Sequence, residues 1–257
     1  MRTKLPIPRP TLLSFDPEWE LMKGHQRSVG HDEAAHEVDF LQRQYRSQWS
    51  NRMAASPVEL NAILKWLTQK RIPFVLTGAH GIGGWTGRPR GTQDVDILVK
   101  AGRNHTRAVN ALKALYPDLE ARDLTGMTSF YVLGEKESVI DVTTPRRADL
   151  EETLANPTWI ENEGLGIRYR IPSLEEALAN KYGAMLTPIR KPYKRIQDAA
   201  DFTMMVTHSS ESGRDEINLR RLRALGEMIW PDGGGDELIR LVEEAKAGEA
   251  IRLDTLR

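Results

Sequence analysis

The 257-residue sequence contains no cysteine, and its formal net charge is zero. Without cysteine, disulfide scaffolds, thiolate zinc sites, iron–sulfur clusters and cysteine nucleophiles are all excluded. Because charge is balanced, only a local basic patch could attract nucleic acid or an anionic membrane. No stretch approaches the roughly 18 apolar residues that a membrane span needs. Pro6, Pro8 and Pro10 interrupt any secretory signal, so we expect a cytoplasmic protein without membrane contact.

The composition that remains, 40% hydrophobic and 28% charged residues, is typical of a globular protein. The sequence pattern predicts an N-terminal arm and a helix over residues 1–55. It predicts a core of strands and helices over residues 56–145 and a mainly helical region over residues 146–257. We therefore predict an α+β fold, with a small mixed β-sheet, flanking helices and a helical C-terminal region. The strands are expected near residues 73–77, 94–99, 129–133 and 138–143.

A glycine-rich segment follows the first predicted strand. Five of the ten residues from Gly78 to Gly87 are glycine, which is too many for a helix or strand interior, so a turn is expected through most of this stretch. Neither the G-x-x-x-x-G-K-[ST] loop nor the dinucleotide fingerprint occurs. A tight turn at Gly78 before a helix N-terminus would let backbone N–H groups approach an anion.

Two aspartates interrupt the second predicted strand, D-V-D-I-L-V from Asp94 to Val99. Aspartate is a poor strand former, and strand alternation places Asp94 and Asp96 on one face. Two carboxylates at that spacing repel each other unless a cation lies between them. Mg²⁺, or Mn²⁺ in its place, prefers oxygen ligands and substrate phosphates. The alternative is a solvent-facing edge strand that needs no metal.

A third acid, Asp141, lies between Ile140 and Val142 in another predicted strand. Three acids on neighbouring strands could hold two cations, which would align an attacking oxygen and a leaving pyrophosphate. Asp141 could equally end its strand without binding a metal.

These residues occur in a recognisable order: a strand, the Gly78-Ala79 turn, and then R-x-T-x-D-x-D from Arg90 to Asp96. The order resembles the polymerase-β-like nucleotidyltransferase superfamily, and within it the AbiEii-type branch of abortive-infection toxins. One departure is Ala79, where that branch has glycine or serine. A phosphate contact that serine would make must come from backbone N–H groups here.

Two downstream segments are similar to further motifs of the same branch. The segment from Asn180 to Ala184, N-K-Y-G-A, is similar to its [TND]-K-x-x-A helix motif. The segment from Lys194 to Asp201 is similar to its basic segment followed by D-x-x-D. The resemblance covers roughly residues 57–207.

The resemblance implies a nucleotidyltransferase fold and Mg²⁺-dependent transfer of a nucleoside monophosphate from an NTP to an acceptor hydroxyl. The acceptor stays open among a tRNA, another RNA, a protein and a small molecule, and a toxin-like role would bring an antitoxin partner. The implied site residues are Asp94, Asp96, Lys181 and Asp198 for catalysis, Gly78, Ala79, Arg90, Thr92, Lys181 and Lys194 for nucleotide binding, and Asp94, Asp96 and Asp141 for the metal.

The downstream charges also have a physical interpretation. Lys181 lies close to the apolar face of its predicted helix, and a partly buried cation needs a counter-anion, which a triphosphate would supply. Alternatively, its ammonium group reaches solvent along an apolar stem. Asp198 and Asp201 could orient the cations that precede them or the incoming hydroxyl. Four basic residues lie within six positions: Arg190, Lys191, Lys194 and Arg195. They form either a local basic patch or a solvated loop.

Two other functional classes fit the same residues. A nucleotide-binding or partner-binding module without catalysis would bind NTP but not turn it over, and Ala79 in the first motif favours this alternative. A two-metal phosphodiesterase or nuclease would use the acids to activate water. Such an enzyme would consume nucleic acid rather than NTP.

Overall fold

The computed structural model describes residues 30–49, 58–88, 90–92, 94–212, 216–254 and 256. The predicted N-terminal arm before residue 30 lies outside the described residues, as does the segment from 50 to 57. The boundaries predicted at residues 55 and 145 stay predictions.

The strands of the described chain form two sheets. They are β1 Val75–Leu76, β2 Val95–Leu98, β3 Leu119–Leu124, β4 Met127–Val132, β5 Ser138–Thr143, β6 Thr158–Asn162 and β7 Ile167–Ile171. The main sheet has the order β1-β2-β5-β4-β3, in which β2 and β5 are parallel and the other neighbours antiparallel. Strands β6 and β7 form an antiparallel pair, and β7 packs beside β1.

Helices flank the sheet and make up most of the C-terminal region. They are α1 His31–Trp49, α2 Leu60–Gln69, α3 Gly78–Thr86, α4 Arg103–Leu115, α5 Ala148–Ala155, α6 Leu174–Leu186, α7 Pro192–Ser212, α8 Leu219–Ile229 and α9 Gly234–Lys246. Helix α3 packs against α1 and α7, while α6 packs against α7 and α8. The predicted α+β class, with a small mixed sheet and a mainly helical C-terminal region, is confirmed. No helix in the ranges given above is both long and apolar enough to cross a membrane.

The two parallel strands supply apolar side chains to the core and leave their acids on another face. Val95, Ile97, Ile140 and Val142 are fully buried, and burying each such side chain contributes about 1.5–3 kcal/mol. Since side chains alternate along a strand, this burial fixes the direction of the aspartates between them.

The glycine-rich segment forms helix α3, so the prediction of a turn through most of it is wrong. A Cβ atom at Gly81 would lie 2.2 Å from the carbonyl oxygen of Leu76, and one at Gly83 would lie 3.3 Å from the Cβ of Ala34. These glycines let the helix approach β1 and α1 closely, and that packing offsets their low helix propensity.

Candidate functional site

Three carboxylates meet on one face of the parallel strands β2 and β5. Asp96 and Asp141 are register partners across the two strands, and Asp94 directly precedes β2. One carboxylate oxygen from each residue lies within 4.8 Å of those from the other two. The structure therefore brings together the three residues predicted to bind a metal.

Two hydroxyl groups orient these carboxylates. Thr92 Oγ1 donates a hydrogen bond of 2.8 Å to Asp94 Oδ1, and Ser138 Oγ donates one of 3.2 Å to Asp141 Oδ2. The second oxygen of Asp141, Oδ1, is buried and has no hydrogen-bond partner within the described ranges. Buried polar atoms normally have partners, so a cation bound among the three acids would supply the contact that Asp141 lacks.

The acids also repel each other in the absence of a cation. Burial, followed by repulsion from Asp94 and Asp141, raises the pKa of Asp96 well above its usual value. Burial likewise raises the pKa of Asp141, with repulsion from Asp94 adding to the shift and the hydrogen bond from Ser138 opposing it. A divalent cation would relieve this repulsion, because it favours the ionised form of every acid around it.

The position of Ser138 depends on an irregularity in the sheet. The pairing of β4 with β5 passes from Phe130–Ile140 to Tyr131–Ser138, which leaves Val139 as an extra residue. Such a bulge moves the residues beyond it to the other face. Strict alternation would place Ser138 and Asp141 on opposite faces, so sequence spacing alone gives no sign of their hydrogen bond.

Gly78 allows the start of α3 to lie directly against Asp96. Its φ angle is +60°, and a Cβ atom there would lie 1.9 Å from Asp96 Oδ2. The N–H of Thr77 donates a hydrogen bond of 2.9 Å to the carbonyl oxygen of Asp96, which joins this corner to β2. First-turn N–H groups have no partner within their own helix. Gly78 and Ala79, both predicted to bind nucleotide, therefore begin a helix whose first N–H groups can donate to an anion beside the acids.

His80 lies in the same first turn and is buried, with 2% of its surface exposed. Neither ring nitrogen has a hydrogen-bond partner in the described chain. Burial, together with the positive charge of Arg90, lowers the pKa of His80 to about 3. The imidazole is therefore neutral at physiological pH.

An ion-pair network, formed by Arg90, Lys181, Asp198 and Asp201, lies beside the acids. Arg90 donates two hydrogen bonds of 2.8 Å to Asp201, while Lys181 Nζ lies 2.6 Å from Asp201 Oδ2 and 3.0 Å from Asp198 Oδ1. Both aspartates are 1% exposed. Asp198 and Asp201 thus supply the counter-anions of Lys181, where the sequence suggested a triphosphate.

The cations of this network stabilise the ionised form of its buried acids. Burial acts to raise the pKa of Asp201, but hydrogen bonds and charge from Arg90 and Lys181 outweigh it and hold that pKa below its usual value. Asp198 also accepts two hydrogen bonds from Arg190, one of them 3.1 Å long. Its two oxygens are thus engaged by Lys181 and Arg190, an arrangement typical of a positioning residue.

The predicted four-residue basic patch divides into two parts. Arg190 pairs with Asp198, and Arg195 donates hydrogen bonds to two backbone carbonyls at 2.6 and 3.3 Å. Both arginines therefore hold α7 in place. Lys191 Nζ instead lies 5.8 Å from the centroid of the Tyr193 ring, and the positive charge of Lys194 reaches Asp96 and Asp141.

A cleft of about 540 Å³ lies between the loop of Arg90 and Thr92 and the first turns of α7. Because Thr92 bonds to Asp94, the cleft borders the acid cluster. Three predicted nucleotide-binding residues, Arg90, Thr92 and Lys194, line this one cleft. Tyr193 also lines it, and no motif in the sequence marks this residue, because an aromatic residue at helical spacing more often packs into a core.

No protein-family model matches the chain, and no curated protein matches its sequence. Solved structures that resemble its fold include the following two. An antigenic nucleotidyltransferase-like protein from Paracoccidioides brasiliensis is 17% identical, with 72% of this chain and 92% of that chain covered and a TM-score of 0.43. JHP933 from Helicobacter pylori is 17% identical, with 74% of this chain and 89% of that chain covered and a TM-score of 0.41. Similarity at this level does not assign an activity, which has to be argued from the geometry of the site.

Proposed function

We propose that the protein transfers a nucleoside monophosphate from an NTP to an acceptor hydroxyl and releases pyrophosphate. The observation that carries the proposal is the convergence of three carboxylates, Asp94, Asp96 and Asp141, beside a cleft lined by Lys194, with Asp96 directly against the N-terminus of α3. Carboxylates alone suit a cation, and a helix N-terminus alone suits an anion. A metal-bound triphosphate satisfies both.

The donor set fits Mg²⁺ or Mn²⁺. All three ligands are carboxylates, which hard divalent cations prefer, and one buried oxygen of Asp141 lacks a partner among the described residues. When bound, the cation would neutralise charge that develops on the transferred phosphoryl group. Thr92 and Ser138 hold two of the three carboxylates in orientation, which reduces the reorganisation needed on binding.

The other residues of the site would hold the nucleotide and position the charged side chains around it. The first N–H groups of α3, at Gly78 and Ala79, would donate to phosphate oxygens. Lys194 would add a positive charge from the α7 side of the cleft. Asp198 and Asp201 would act by positioning Lys181 and Arg90.

A narrower proposal concerns the biological role. The motif resemblance supports a toxin of the AbiEii type that modifies an RNA or protein acceptor and is held inactive by an antitoxin. The cleft lysine Lys194 and its neighbour Lys191 are compatible with an RNA acceptor, since phosphate contacts are made mainly by such cations.

The reaction class can be tested with labelled nucleotides. The full chain would be incubated with Mg²⁺, total cell RNA or lysate, and each NTP labelled at the α or at the γ phosphate. Nucleotidyl transfer predicts that the α label enters a macromolecule while the γ label is released in pyrophosphate. Binding of NTP without turnover would instead identify a non-catalytic module. Degradation of labelled RNA with intact NTP would identify a nuclease.

A further inference from the structure

We propose that the α7 wall of the cleft, made of Tyr193, Ile196 and Gln197, binds the nucleobase of the NTP. This inference rests on the proposed function. It adds a binding site for the part of the nucleotide that lies beyond the phosphates.

The wall has apolar side chains that are exposed rather than packed in the core. Tyr193 and Ile196 are 54% and 62% exposed, and both line the cleft. They are three residues apart on one helix and therefore share a face. Lys191 Nζ lies 5.8 Å from the centroid of the Tyr193 ring, within the range of a cation–π contact. An aromatic ring and a branched aliphatic side chain thus form one apolar patch inside a concave site.

The shape and chemistry of the cleft favour a flat heteroaromatic group. Stacking on an aromatic side chain binds any nucleobase, because every base has a π face. Gln197, on the same wall, offers an amide with both donors and an acceptor for the edge of a base. The volume of about 540 Å³ lies within the range of small-molecule sites, about 300–1,000 Å³.

The position of the wall relative to the acids sets the direction of the nucleotide. Thr92 lines the cleft and bonds to Asp94, so the phosphates would lie at this end. Lys194 follows Tyr193 directly and adds a charge on the same side. A nucleotide with its phosphates at the acids would extend its base along α7 toward Tyr193 and Ile196.

The test compares a ligand that has a base with one that has none. Binding of NTP and of inorganic tripolyphosphate would be measured with Mg²⁺ for the wild-type chain and for Tyr193→Ala, Tyr193→Phe and Ile196→Ala. Loss of base stacking should weaken NTP binding by about 5- to 150-fold in Tyr193→Ala, and Tyr193→Phe should restore it. Tripolyphosphate binding should not change in any of these variants. Ile189→Ala is the matched control, since Ile189 is 93% exposed and lies outside the cleft lining.

Three results would overturn the inference. Equal losses for NTP and tripolyphosphate in Tyr193→Ala would mean that the residue supports the phosphate site. Unchanged NTP binding in Tyr193→Ala together with impaired transfer to RNA would assign the wall to the acceptor. If the wild-type chain bound neither NTP nor tripolyphosphate, the proposed function would fail and this inference with it, whereas the first two results leave that function intact.

Discussion

At the scale of single residues, the absence of a side chain at Gly78 determines where Asp96 can lie. A Cβ atom at this position would overlap Asp96 Oδ2, and the backbone has a φ angle of +60°. Both conditions are met by glycine alone. The approach of α3 to the acids therefore depends on this one residue.

Gly78→Ala should reduce stability by about 1–3 kcal/mol and should weaken Mn²⁺ binding as well, because Asp96 must move. Gly166→Ala is the matched control, since Gly166 has a φ angle of +61° but nothing within 4 Å of an added Cβ. Urea unfolding and a Mn²⁺ titration followed by electron paramagnetic resonance would measure the two effects. Equal Mn²⁺ affinities in the two variants would contradict the placement of Asp96 in the metal site.

His80 should make the protein sensitive to acid. Its pKa of about 3 in the folded state lies below the value of about 6.5 in an unfolded chain. The unfolded chain therefore binds an extra proton between these pH values, so stability falls as the pH is lowered through this window. Between pH 7 and pH 4.5, the unfolding free energy should fall by about 2–3 kcal/mol less in His80→Leu than in the wild-type chain. Urea unfolding at several pH values would measure this change; parallel profiles for the two proteins would refute it.

The residue pattern predicted part of this site and missed the rest for specific reasons. Alternation along β2 was sufficient to place Asp94 and Asp96 on one face, because Val95 and Ile97 must be buried. The proximity of Asp141 depends on the pairing of β2 with β5, which connects residues distant in the sequence. The hydrogen bond from Ser138 depends on a bulge, which no local pattern indicates.

At the scale of secondary-structure elements, ion pairs hold α7 over the acid-bearing sheet. Arg90 reaches Asp201 from the loop before β2, and Lys181 reaches it from α6. Asp201 is buried, so removal of its charge leaves two cations without a full complement of partners. Breaking a buried pair from one side is strongly destabilising.

Asp201→Asn should reduce the unfolding free energy at pH 7 by about 3 kcal/mol. Since the folded state lowers the pKa of Asp201, its contribution is present above the unfolded value of about 4 and is lost as the pH falls further. The difference in unfolding free energy between the wild-type chain and Asp201→Asn should therefore become smaller in acid. Glu120→Gln is the control, because the Arg122–Glu120 pair has the same two-bond geometry but is exposed. A loss in Glu120→Gln as large as that in Asp201→Asn would show that burial is not the cause.

Element prediction succeeded where a pattern is periodic and failed where tertiary packing decides. The strands predicted near residues 129–133 and 138–143 are found as β4 and β5, which form an antiparallel pair. Strand β3 was not predicted, because most of its side chains are exposed at the sheet edge and show little apolar alternation. Helix α3 was mistaken for a turn, because its glycines serve close packing that the sequence does not display.

At the scale of the whole molecule, a chain with zero net charge has little long-range attraction for RNA. Any RNA affinity should therefore depend on local cations. Two arginines of the predicted patch are engaged within the protein, which leaves Lys191 and Lys194.

Changing both lysines to glutamine should reduce the salt dependence of RNA binding by about two phosphate contacts and weaken transfer to RNA. Lys65→Gln with Lys113→Gln is the control, since these exposed lysines lie on α2 and α4. Filter binding across a salt series would give the slopes. A slope that is unchanged in the Lys191 and Lys194 double variant would favour a protein or small-molecule acceptor.

The central claim is that Asp94, Asp96 and Asp141 bind the cation on which nucleotidyl transfer depends. Its most direct test is the rate of α-label transfer in the presence of Mg²⁺ by the wild-type chain and by Asp96→Asn, with Asp118→Asn as an exposed acidic control. The neutral amide should reduce transfer by at least about 100-fold. Without metal, the unfolding free energy of Asp96→Asn should equal or exceed that of the wild-type chain, because repulsion among the acids is relieved. Transfer at the wild-type rate by a folded Asp96→Asn protein would contradict the claim.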